Sequence, residues 1–186
     1  EKASQLDPKN GAILSSLALC QLKTGNLSQA SITYEQAIAM NPNANKEYKQ
    51  LGDLYMQQKK TSSAISAYKR YLEKGNADAE IALIVARNAY NAKNYPEAFK
   101  FFAYAKSNTT AEYHLQYGLS AVEVKDYKVA ISELEKIRST KAVVQSRDVA
   151  YKALALAYEK SGDIKTAAEV LNAYVRLPGV KDPDAA

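Results

Sequence analysis

The sequence predicts an all-α fold, a right-handed superhelical solenoid of antiparallel helix pairs. Three observations predict it. A short segment ending in alanine recurs five times, at Ala30, Ala64, Ala98, Ala130 and Ala167, with spacings of 34, 34, 32 and 37 residues. Stretches with apolar residues three and four apart flank these alanines, the spacing of one helical face. Glycine stands at Gly25 and Gly162, where a first helix must stop, because it adopts the left-handed conformation cheaply. A period of this length marks a stacked array whose units bury their apolar faces only against neighbours.

The elements follow in chain order. In the first copy Leu14, Leu17, Ala18 and Gln21 form one helical face, KTGNLSQA (residues 23–30) makes the turn, and Tyr34, Ala37 and Ile38 form the second face. The second copy repeats this with Tyr48, Leu51, Gly52 and Tyr55, then Tyr68 and Tyr71. In the third copy Pro96 falls near the first helical position, where a missing N–H costs nothing. VKDYKVA leads to Ala130 in the fourth copy and KSGDIKTA to Ala167 in the fifth. The anchor alanines have a packing reason: a larger side chain would force the crossing helices apart. Ala18, Gly52, Ala86, Gly118 and Ala155 hold the matching small position on each first helix.

Composition excludes several functions. The chain has 186 residues, 47% hydrophobic and 24% charged, an ordinary globular balance. No apolar run approaches the ~18–20 residues of a bilayer span, so no direct membrane insertion is expected. The net charge of +5 is carried mostly by lysine. Bidentate reading of phosphate or guanine favours arginine, so no nucleic acid is expected. With one cysteine, Cys20, and one histidine, His114, most nucleophilic and metal chemistries lack parts. Cys20 aligns with Leu54 and Ala157 and is expected to be buried; His114 aligns with packing positions and is expected in the core. Glu133 and Glu135 lie two apart on a helix, hence on different faces. No glycine-rich phosphate loop exists. The expectation is no catalytic site, no cofactor and no metal.

Tyr48-x-x-Leu51-Gly52-x-x-Tyr55 followed by Ala64-x-x-x-Tyr68 resembles the tetratricopeptide repeat. Ala98-x-x-x-Phe102 matches the second half of that pattern, and Pro42 stands at its closing proline. Lys59, in place of a turn glycine, Asn76 and His114 depart from it. The resemblance spans 11–178 as five copies, 11–44, 45–78, 79–110, 111–147 and 148–178. Residues 1–10 look like the tail of a preceding second helix, since Ala3, Asp7 and Pro8 lie one repeat before Ala37, Asn41 and Pro42. Residues 179–186 form a tail, and the chain is expected to be part of a larger protein.

What the resemblance implies is a non-enzymatic scaffold that holds a peptide or helix of a partner protein in the concave groove lined by the first helices. Bacterial envelope and assembly proteins are the implied company. Counting within copies assigns to the groove Leu19, Lys49, Asp53, Met56, Leu83 and Arg87, then Tyr90, Asn91, Leu119, Lys152 and Leu156. Relatives that bind chaperones clamp a terminal carboxylate; Asp53 beside Lys49 would repel one. The apolar members favour an amphipathic or extended apolar segment, fixed by Arg87, Asn91 and Lys152. The alternatives are a self-associating structural module or an accessory domain of an enzyme.

Overall fold

The computed structural model describes residues 10–108, 110–139 and 147–177. Among the described residues there are ten helices and no strand. They are α1 (Gly11–Lys23), α2 (Leu27–Met40), α3 (Asn45–Gln57), α4 (Thr61–Glu73), α5 (Ala79–Asn91), α6 (Tyr95–Tyr104), α7 (Ala111–Glu123), α8 (Tyr127–Ser139), α9 (Arg147–Lys160) and α10 (Ile164–Val175). None is long and apolar enough to cross a membrane. The predicted helix tail over 1–10, residues 140–146 within the 37-residue spacing, and the C-terminal tail lie wholly or largely outside the described residues. The chain divides into two compact units, Glu1–Val85 and Ala86–Ala186.

Five turns share one geometry. Gly25, Lys59, Lys93, Lys125 and Gly162 each stand five residues before an anchor alanine, and all five have positive φ, between 58° and 92°. In each, the left-handed residue donates its N–H to the carbonyl three residues back, and the next residue donates to the one five back. Gly25 to Leu22 and Asn26 to Gln21 are one instance, Lys125 to Val122 and Asp126 to Ala121 another. This double bond satisfies carbonyls left open at a helix end. The departure at Lys59 therefore changes the residue and keeps the backbone. The residue after the left-handed one opens the second helix. Asn94, Asp126 and Asp163 cap it by accepting the N–H of Glu97, Val129 and Thr166, whereas Asn26 and Lys60 make no such bond. Pro96 follows Tyr95 as the second residue of α6.

In the first unit, α1 packs on α2, α2 on α3 and α3 on α4. Ala18, Ala30, Tyr34, Leu51, Leu54 and Ala67 form its central cluster. Gly52 leaves room for the Tyr68 ring: a Cβ there would stand 2.4 Å from it. In the second unit α6 packs on α7, α7 on α8, α8 on α9 and α9 on α10. Gly118 makes the equivalent room, with Leu134 2.6 Å from where its Cβ would be. All five anchor alanines are buried.

Tyrosines serve packing and tie neighbouring copies. Tyr55 donates its hydroxyl to Glu35, and Tyr158 donates to Glu135 Oε1 at 2.9 Å, the same pair of repeat positions in two copies. Burial, then the bond to Glu35, pushes the Tyr55 hydroxyl up to about 12. Glu133 and Glu135 do face different partners, His114 and Tyr158, and His114 is buried as expected.

Cys20 corrects an expectation, for it is exposed. Its counterparts Leu54 and Ala157 are buried against the preceding helix pair, through Tyr34 and Ala130 respectively. Among the described residues no helix precedes α1, and the equivalent surface there meets solvent.

Candidate functional site

The predicted partner-binding residues all lie on the first helices, α1, α3, α5, α7 and α9. Eleven residues before each anchor stand Leu19, Asp53, Arg87, Leu119 and Leu156. None of the five is buried, while the residue beside each, at the small position, is. One helical position therefore keeps solvent access through every copy.

In the first unit Leu19 and Met56 are exposed, Leu83 is half-buried, and Ile84, which the sequence count passed over, is exposed. Lys49 Nζ and Asp53 Oδ2 pair at 3.3 Å across one helical turn, and Tyr68 donates its hydroxyl to Asp53 Oδ1 at 2.8 Å. Asp53 is thus held from two sides, and Tyr68 is pushed up by burial and by that carboxylate. Ser15 donates to Glu47 Oε1 at 2.8 Å, linking α1 to α3.

In the second unit Glu112 has two polar partners. Its Oε2 lies 3.3 Å from Arg87 Nη2 and its Oε1 accepts from Gln116 Nε2 at 3.1 Å. Arg87 Nε and Gln116 Oε1 are buried and have no hydrogen-bond partner among the described residues. Tyr90 stacks edge-on against Tyr95, ring centroids 5.8 Å apart, and burial raises its hydroxyl. Asn91 is exposed at the end of α5, and Leu156 is exposed on α9. Two residues are partly committed elsewhere. Leu119 packs against the cluster containing Tyr151 and Leu154, and Lys152 Nζ sits over the Tyr174 ring, 5.6 Å from its centroid. Sequence counting missed Glu112 and Gln116, because only the fold shows that Arg87 and Gln116 share the Glu112 carboxylate. Among the described residues no group of three or more His, Cys, Asp and Glu could hold a metal ion.

Two family profiles, each described as tetratricopeptide repeat, match residues 1–54 and 49–112. With five identical turns and five buried alanine anchors at this period, the assignment is decided. The chain belongs to the tetratricopeptide repeat family. No curated protein sequence matches this tetratricopeptide repeat chain. Among solved structures it is similar to YrrB, titled a TPR protein with an unusual peptide-binding site, with TM-score 0.53 and 15% identity over 94% of this chain and 89% of that one. It is also similar to MamA AMB-1, with TM-score 0.55 and 15% identity over 93% of this chain and 94% of that one. At such identity these likenesses establish the tetratricopeptide fold and nothing finer.

Proposed function

We propose that this tetratricopeptide repeat chain is a non-enzymatic scaffold that takes an extended or amphipathic segment of a partner protein on the exposed face of its first helices. The repeat units are 11–44, 45–78, 79–110, 111–147 and 148–178, with 1–10 and 179–186 flanking them. One observation carries the reading: the position eleven before the anchor stays accessible in every copy yet holds Leu19, Asp53, Arg87, Leu119 and Leu156 in turn. Packing alone would favour similar residues at equivalent positions, as it does at the anchors.

Within the second unit the recognition set is Arg87, Tyr90, Asn91, Leu119, Lys152 and Leu156; within the first it is Leu19, Lys49, Asp53, Met56 and Leu83. A peptide library selected on the protein tests this. Arg87→Glu combined with Tyr90→Ala should weaken the selected peptides at least tenfold, about 1.4 kcal/mol, with helicity unchanged. Undiminished binding by the double variant would overturn the first-helix site.

A second reading, self-association, is favoured by α10. Four residues after the anchor, Tyr34, Tyr68, Phe102 and Leu134 are 0–3% exposed, whereas Leu171 is 45% exposed, with Ile164 and Val175 exposed on the same helix. Light scattering over a concentration series separates the readings, since a scaffold of the first kind stays monomeric.

A further inference from the structure

The fourth copy departs from the other four in one place. Sixteen residues before the anchor the copies carry Leu14, Tyr48, Ala82, His114 and Tyr151; three residues after it they carry Thr33, Ala67, Phe101, Glu133 and Val170. Only the fourth has two ionisable groups there, and they meet. His114 Nδ1 lies 2.6 Å from Glu133 Oε2, with both residues buried, and Lys136 Nζ lies 2.8 Å from Glu133 Oε1. Four copies achieve the same packing with uncharged side chains. The fold therefore does not require a buried ionisable pair, whose desolvation costs about several kcal/mol per ion.

The pair borders a cavity of about 460 Å³ lined by α7, α8 and the segment that follows α6. A cavity of about 380 Å³ lies at the equivalent place in the second copy, but there Ile38, Tyr48 and Ala67 stand where the fourth copy has Lys106, His114 and Glu133. The space comes with the repeat; the chemistry belongs to the fourth copy alone.

We infer that this fourth-copy cavity binds a small organic anion, an oxyanion carried on a flat apolar body. Its lining sets three lysines, Lys106, Lys128 and Lys136, against one carboxylate, so its formal charge is positive. Both oxygens of Glu133 are engaged, by His114 and by Lys136. Lys106 and Lys128 form no ion pair with any described residue, so their ammonium groups are open to an anion. Tyr113 and Tyr117 supply the apolar wall, with ring centroids 5.7 Å apart, and the Tyr113 hydroxyl is tied back to the Phe102 carbonyl. The volume is in the range of small-molecule pockets, roughly 300–1,000 Å³. The inference is independent of the first-helix reading, which uses other residues.

His114 is the chain's sole histidine, so its ring resonances report on this cavity without ambiguity. Phenyl phosphate and benzoate, titrated separately into the labelled protein, identify which oxyanion fits; a saturable shift of the His114 ring signals by either supports the site. Lys106→Gln with Lys128→Gln should weaken that binding at least tenfold, with far-UV circular dichroism unchanged. No saturable shift by about 20 mM of either anion, or equal affinity in the double variant, overturns the inference. So does a shift produced only by an aspartate-rich peptide, which would make the cavity a subsite for a protein segment.

Discussion

Asp163 shows how one side chain sets the start of a helix and makes it sensitive to acid. Its carboxylate accepts the Thr166 N–H at 3.0 Å and is fully exposed. Hydrogen bonding to Thr166, with Lys165 adding to it, holds its pKa below the ordinary carboxylate value of about 3.9. A carboxylate lowered in the folded state contributes stability that is present above the ordinary value and lost as pH falls through the lowered one. Asp163→Asn keeps an oxygen for the Thr166 N–H but cannot titrate. It should lose less melting temperature than the parent between pH 5 and about pH 3, a range bracketing that value. Parallel losses in thermal melts of the two proteins would show that the cap does not couple to acid.

The helix pair is the unit at which turns act. Three turns place a lysine at positive φ, where an L side chain costs roughly 1–2 kcal/mol and glycine costs nothing sterically. Glycine gives back part of this through its freer unfolded chain. Lys125→Gly should therefore stabilise the protein by about 0.5–1 kcal/mol, since Lys125 is exposed and forms no ion pair with a described residue. Chemical denaturation measures it, and a lower midpoint would mean that the lysine stem stabilises the turn in some other way. Gly25 and Gly162 announced this geometry in the sequence; Lys59, Lys93 and Lys125 could not, because the requirement lies in the two backbone hydrogen bonds rather than in residue type.

At the scale of the molecule, the repeat and its packing were legible because they rest on local periodicity. The anchors, the small partners Gly52 and Gly118, and the rings of Tyr34 and Tyr68 stand where spacing put them. Burial of Cys20 was misread because its counterparts Leu54 and Ala157 owe their burial to residues of another copy, Tyr34 and Ala130, and alignment compares residue types rather than those contacts. For the candidate residues, spacing indicated the helix that carries each one but not its contacts. Nothing in the spacing says that Lys152 leans on Tyr174, that Leu119 joins a core cluster, or that His114 reaches Glu133 on the next helix. Those contacts depend on how two helices are rotated about their axes, which residue spacing leaves open.

Among the described residues, every substantial helix–helix contact within either unit joins elements that are neighbours or next-but-one in the chain. Such a chain closes only short loops as it folds, and low contact order goes with fast folding. During synthesis α3 and α4 can dock before α7 has left the ribosome, without waiting for a distant strand or a C-terminal clasp. Unfolding in urea should then fail the two-state tests, with circular dichroism and tyrosine fluorescence giving different midpoints. Coincident transitions would mean that the copies rise and fall together. If they do not, sequence change in one unit leaves the other free to fold, and new surface chemistry can arise copy by copy.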